Sequence, residues 1–199
     1  MKGSKVYVFA AALISAASCA VCAYSKDVEE DLRSEIVRLH IIAESDSEYD
    51  QAVKLEVRDA VLDKVRTDMP DDEAELAELA EDTANEVLSE NGCAYGAKAE
   101  YGTFMFPEKS YKGLTLPAGE YEGVRVVLGS GAGANWWCVM YPPLCVEDGE
   151  PELSEEGEAE LQSRLREDTY EVIAEPDGVQ VKFRLAEAVR KVVGAINGE

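Results

Sequence analysis

Few side chains in this sequence could carry chemistry, and their spacing limits what that chemistry is. The single histidine, His40, excludes multi-histidine zinc sites and leaves a Ser/His/Asp arrangement one candidate base. It could serve as a general base or pH sensor. With no nucleophile near it in sequence, a half-buried strand residue beside Arg38 is the better reading. Five cysteines divide unevenly: Cys19 and Cys22 lie in an apolar N-terminal run, while Cys93, Cys138 and Cys145 remain for the folded part. No pair of CxxC knuckles is present to bind zinc. Cys93 follows an Asn91-Gly92 helix stop with no His nearby, and is read as non-catalytic. Cys138 and Cys145, seven positions apart across Pro142-Pro143, either close a small disulfide loop or stay as two buried thiols.

Two further stretches invite ligands. Gly129-Ser130-Gly131-Ala132-Gly133 follows a strand, as phosphate cradles do. Its spacing is G-x-G-x-G, however, and a strand follows it instead of a helix N-terminus, so a flexible hairpin connection is expected. Nine acidic residues between Asp71 and Glu90 lack EF-hand spacing and read as a solvated helix face. No metal or other cofactor is expected. Asn135-Trp136-Trp137 then puts two indoles on opposite faces of a strand. Either one anchors the core while the other faces a partner, or both are buried. Alternation places Trp137 with Val139 and Tyr141, and Trp136 with Cys138 and Met140.

The charge balance sets the class of partner. With 19 Lys+Arg against 41 Asp+Glu the chain carries −22, which opposes binding to nucleic acid or to anionic lipid. Lys2 and Lys5 precede an uncharged run, Val6 to Ala23, laid out like a secretory signal. Val21-Cys22-Ala23 would permit cleavage before Tyr24; the 18-residue run is also long enough to stay as a marginal anchor. Residues 1–23 are therefore a signal peptide or membrane anchor, 24–34 a polar tether, and 35–199 one exported domain.

Elements to position these residues follow from periodicity. Ile36 to Ala43 alternates as a strand, with Val37, Leu39, Ile41 and Ala43 on one face. Ser45 and Glu48 have capping-box spacing ahead of a helix whose apolar stripe runs Val53, Val57, Val61, Val65. Lys54 and Arg58 are assigned to its solvated faces. A second helix carries Leu76, Ala80, Ala84 and Leu88. Strands follow over 95–106, 120–128 and 136–140, with a loop at 107–113 and a type II turn at Pro117-Ala118-Gly119. A helix from about Glu155 through Glu167, a strand at Val179–Phe183 and an amphipathic segment Leu185–Ile196 complete the chain. The sum is an α+β fold: a mostly antiparallel sheet with two N-terminal helices and C-terminal helical segments packed on it.

Three segments together resemble the stage II sporulation protein R family of endospore-forming Firmicutes. They are His40-Ile41-Ile42-Ala43-Glu44-Ser45-Asp46-Ser47 with Asp50-Gln51-Ala52-Val53-Lys54 and Val57-Arg58-Asp59-Ala60-Val61; Phe106-Pro107, Lys109 and Tyr111 through Leu116–Tyr121; and Gly129–Gly133 with Asn135-Trp136-Trp137-Cys138 and Pro142-Pro143-Leu144-Cys145. Glu44 stands where the family often has Asn, and Tyr141 where it often has Phe. The resemblance implies a signalling protein and not an enzyme. Such a protein is exported toward the space between forespore and mother-cell membranes, where it triggers a membrane-embedded aspartic protease that processes the pro-sigma-E factor. Asn135, Trp136 and Trp137, then Lys109 and Tyr111, are the partner-binding candidates. The alternative is a carbohydrate- or peptidoglycan-binding module using the tryptophans; a cell-wall hydrolase has no particular carboxylate pair to support it.

Overall fold

The computed structural model of the protein describes residues 2–70, 72–111, 113–144 and 155–174; the side chains of 2–14, 17, 155 and 156 fall outside that description. The elements in chain order are α1 (Lys2–Glu35), β1 (Val37–Ile42), α2 (Glu48–Thr67), α3 (Glu73–Glu90), β2 (Ala97–Phe106), β3 (Lys109–Tyr111), β4 (Leu114–Leu116), β5 (Gly119–Leu128), β6 (Asn135–Tyr141), α4 (Glu155–Arg164) and α5 (Glu167–Ala174). Four strands form one sheet in the order β2-β5-β1-β6; β3 and β4 pair separately. β1 is antiparallel to β6 and parallel to β5, and β2 is antiparallel to β5. The α+β, mostly antiparallel architecture expected from the sequence is the one observed.

The alternation of β1 separates two cores. Leu39 and Ile41, fully buried, join Val124, Val126 and Leu128 of β5 under α2 and α3. Ile36 lies on the other side, with Phe106, Tyr121 and Val139 under α1, α4, α5 and the β3–β4 hairpin. Burying side chains of this size contributes roughly 1.5–3 kcal/mol each, so a one-residue slip of β1 would sacrifice both layers.

Several expectations are corrected. The stretch read as a polar tether, 24–34, is the last third of α1: Val28 and Leu32 are buried at helical spacing, and Tyr24 packs against the same core. Gly129–Gly133 is not a hairpin connection, because β5 and β6 do not pair; β1 lies between them. The loop expected at 107–113 contains half of the β3–β4 hairpin. Ser47, not Ser45, caps α2, its hydroxyl accepting the Asp50 N–H. Gly119 opens β5 opposite Phe106, and its φ is not positive, so Pro117-Ala118-Gly119 is no type II turn with a left-handed glycine. The helix expected from Glu155 through Glu167 breaks at Leu165-Arg166 into α4 and α5. Cys145, the Glu175–Gly178 turn, the Val179–Phe183 strand and the Leu185–Ile196 segment lie outside the described residues. So do most side chains of the Val6–Ala23 run. Where side chains are described, no helix is long and apolar enough to cross a membrane.

Candidate functional site

Where β1 ends, Glu44-Ser45-Asp46-Ser47 turns into α2, and the glycine loop folds over that turn. The loop's N–H groups are taken in order. Gly129 N–H bonds Gly96 O, Gly131 N–H bonds Leu128 O, Ala132 N–H bonds Glu44 O at 3.1 Å, and Gly133 N–H bonds Ala43 O at 2.9 Å. Ser130 N–H goes to the Glu44 carboxylate, and Ala134 N–H to Asp46 Oδ1 at 2.7 Å. Six consecutive donors are thus bound within the chain. A phosphate would find none of them vacant; the protein's own carboxylates hold the place an anion would take.

The glycine spacing follows from this geometry. Gly129 and Gly131 have φ of +57° and +64°, a region that side chains enter at a cost. Gly133 has no positive φ, but a Cβ there would collide with the backbone of Ser45. A G-x-G-x-G pattern is therefore the signature of a clasp, two turns and one close approach.

Beneath the clasp sits Asp50, buried at the first turn of α2. Its Oδ2 accepts from Ser47 Oγ at 2.8 Å and from the Ser45 hydroxyl; its Oδ1 accepts from Tyr95 Oη at 2.5 Å. These bonds hold the Asp50 carboxyl below its ordinary pKa, while burial and then the Asp50 bond push the Tyr95 phenol up. Gln51 donates to Ser45 O at 2.8 Å, and Lys54 Nζ to Ala134 O at 3.1 Å. Lys54 and Arg58 were expected on a solvated face; they are 4% and 3% exposed. Asp50, Lys54 and Arg58 recur every four residues, a polar stripe beside the valine stripe. That spacing was the available signal.

Arg58 leads to the sheet edge. Its guanidinium lies 4.5 Å from the Trp136 ring centroid and pairs with Asp59 at 2.6 Å. Lys109 Nζ, from β3, lies 5.6 Å from the same centroid. Trp136 is half-buried at the edge strand, with two cations near its ring. Trp137 faces the opposite layer with Val139, as alternation requires. It stacks on His40 and meets Phe106 edge-on at 5.2 Å. His40 Nε2 is 2.7 Å from Asn135 Oδ1, and Asn135 is exposed. Tyr111 is buried in the lower core and contributes no surface. Of the five candidates, then, Asn135, Trp136 and Lys109 share the open edge, Trp137 supports it from beneath, and Tyr111 stands apart. Cys138 is buried, with Cys145 outside the described residues. Cys93 is half-buried with Sγ 3.4 Å from Tyr49 Oη. Among the described residues no three His, Cys, Asp or Glu side chains are grouped to hold a metal.

A family model for stage II sporulation protein R matches residues 33–150, the span from the end of α1 beyond β6. A stage II sporulation protein R of Bacillus subtilis (strain 168) is 32% identical over 211 aligned positions, covering 92% of this chain and 93% of that one. The chain belongs to the stage II sporulation protein R family. No solved structure matches it. The segments that carried the resemblance to stage II sporulation protein R, far apart in sequence, meet in space: Glu44–Lys54 lies against Gly129–Ala134, and Lys109 reaches Trp136. In Phe106–Tyr121, Arg38 is fully buried against the Phe106 and Tyr121 rings at 4.4 and 5.1 Å, and Tyr121 Oη donates to Pro117 O at 2.8 Å.

Proposed function

We propose that this family member is an exported signalling protein, not an enzyme, that activates a membrane-embedded aspartic protease to process pro-sigma-E during sporulation. It acts from the space between forespore and mother-cell membranes, secreted or held by its N-terminal segment. The observation that carries this reading is the build of the β6 edge. Asn135 is bonded to His40, and Trp136 lies beside the Arg58 and Lys109 cations, next to a loop whose N–H groups are already bonded within the chain. Such an edge offers a partner a preformed aromatic and cationic surface. The basic start and uncharged run of the N-terminus, and the −24 charge on residues 26–199, support export of an acidic domain.

The two indoles lie on opposite faces of the sheet and form no joint stacking platform, which weighs against the peptidoglycan-binding alternative. Reconstituted cleavage of the sigma-factor precursor by its protease, with and without this protein, is the test. Cleavage should depend on the protein; equal cleavage in its absence would end the reading. Retention on purified cell wall without any effect on cleavage would favour the alternative.

A further inference from the structure

One charged side chain is buried where an apolar one would serve the core as well. Lys54, beside the valine stripe of α2, is 4% exposed. Its Nζ donates to two neutral oxygens, Gln51 Oε1 at 2.6 Å and Ala134 O at 3.1 Å, and it forms no salt bridge among the described residues. Burial disfavours its charge, and the Asp46 carboxylate offsets that only in part. A buried ammonium without a carboxylate partner rarely adds to stability; apolar groups of similar volume are often neutral or better in its place. The reason for a lysine here lies in what it holds.

That is the entry to β6. Ala134 precedes the strand and is bonded on both sides: its N–H goes to Asp46 Oδ1 at 2.7 Å, and its carbonyl accepts from Lys54. The Ala43 N–H reaches the same carbonyl only at 3.5 Å. Because the peptide unit is planar, fixing the Ala134 carbonyl also fixes the N–H of Asn135, the first residue of β6. Gln51 extends the hold back to the turn before α2: its Nε2 donates to Ser45 O at 2.8 Å while its Oε1 accepts from Lys54. One turn along α2, the Arg58 guanidinium lies 4.5 Å from the Trp136 ring centroid. Lys54 and Arg58, four residues apart on the helix, therefore meet positions 134 and 136, two apart on the strand side. Four residues of helix rise about 6 Å and two of strand about 6.7 Å, so the two spacings match. A slip of β6 by one residue would exchange the faces of Trp136 and Trp137. We propose that Lys54 is a positioning residue of the β6 edge: through Ala134 O it sets where the strand begins, and so which indole meets the partner. This rests on the reading of that edge as the recognition surface.

Lys54→Met keeps the length of the side chain and removes the donor; Val61→Ala, a core substitution two turns further along α2, is the stability control. Amide hydrogen exchange on the full chain reads the positioning without the protease. Lys54→Met should speed exchange at Gly133 and Ala134 by about ten-fold and leave the α2 amides of Val57 and Val61 slow. Reconstituted cleavage of the sigma-factor precursor reads the consequence, at a temperature where both variants are folded. The concentration of Lys54→Met that gives half-maximal cleavage should rise by about ten-fold with the maximum unchanged, while Val61→Ala matches the parent. Asp46→Ala, at an exposed residue, cuts the other bond of Ala134 and should produce the same two effects. Unchanged exchange at Gly133 and Ala134 in Lys54→Met overturns the proposal, as does faster exchange with cleavage equal to the parent's. A Lys54→Met chain that does not fold, or a Val61→Ala chain that loses cleavage equally, assigns the lysine to stability alone and overturns it too. If the unaltered protein itself does not promote cleavage, the recognition reading falls, and exchange still decides whether Lys54 sets the start of the strand.

Discussion

The imidazole of His40 lies flat against the indole of Trp137, ring centroids 3.5 Å apart and planes 15° apart. Burial in this stack favours the neutral ring and lowers its pKa below the ordinary 6.5; the bond to Asn135 opposes that shift, and the Arg125 charge reinforces it. The unfolded chain takes up a proton near 6.5 while the folded chain resists it. The contribution to stability is therefore complete above that pH, is lost as pH falls below it, and levels off beneath the folded-state pKa. Unfolding free energy measured from pH 7.5 downward should decline over this window, and His40→Gln should flatten the decline. An unchanged slope in the variant would assign the effect to another group.

Gly133 makes the closest approach to backbone in the clasp. Gly133→Ala places a methyl group against the Ser45 backbone, which cannot swing aside as a side chain would. Overpacking of this kind costs roughly 1–3 kcal/mol. Denaturant unfolding should show a midpoint lowered accordingly with an unchanged slope. Ser130→Ala, by contrast, loses only an exposed 3.3 Å hydroxyl bond to Glu44 O and should differ little from the parent. Equal stability of the two variants would contradict the close approach.

Legibility in the sequence followed the range of the interaction. The strand β1, the helices α2 and α3 and the opposite facing of Trp136 and Trp137 depend on periods of 2 and 3.6, which neighbours in sequence reveal. Insertion of β1 between β5 and β6 does not: the pairing of Ile41 with both Val126 and Trp136 joins residues about 90 positions apart. The glycine loop thus looked like a hairpin connection. Its true partner, Glu44–Asp46, is distant along the chain. Lys54 and Arg58 were misassigned for the same reason: a charged side chain on a helix defaults to solvent unless an acceptor such as Ala134 O, or a ring such as Trp136, is known to lie above it. The tether misled differently, since its acids concealed the i, i+4 spacing of Val28, Leu32 and Ile36.

The Asp50–Tyr95 bond makes a second contribution that acid removes. The Asp50 carboxyl is held below its ordinary 3.8, principally by the hydroxyls of Ser45 and Tyr95. Its stabilising effect is present above 3.8 and disappears as pH falls through the lower folded-state value. Tyr95→Phe should cost about 1 kcal/mol at neutral pH and shrink the loss seen on acidification below pH 4. Thermal melts of parent and variant from pH 7 to 2 would check both effects.

The two tryptophans should part company when truncated. Trp137 is half-buried, stacked on His40 and edge-on to Phe106, and Trp137→Ala should lower stability by an amount toward the lower end of roughly 3–5 kcal/mol and take signalling down with the fold. Trp136 packs at the margin of the core under α2 and α3 and lies beside the Arg58 and Lys109 cations, contacts worth about 0.5–2 kcal/mol each, so Trp136→Ala should be the milder lesion. Lys109→Ala isolates the surface more cleanly still, because the lysine head lies 5.6 Å from the ring centroid and its removal leaves the indole in place. It should melt within a degree or two of the parent and yet reduce cleavage of the sigma-factor precursor, as expected where an interface depends on a preset aromatic. Thermal denaturation and reconstituted cleavage, run in parallel on the three variants, give the answer. If Lys109→Ala and Trp136→Ala both fold and both support full cleavage, the β6 edge is not the recognition surface. The Glu44–Ser47 turn across the clasp, where Asp46 and Ser47 are exposed, is then the next surface to test.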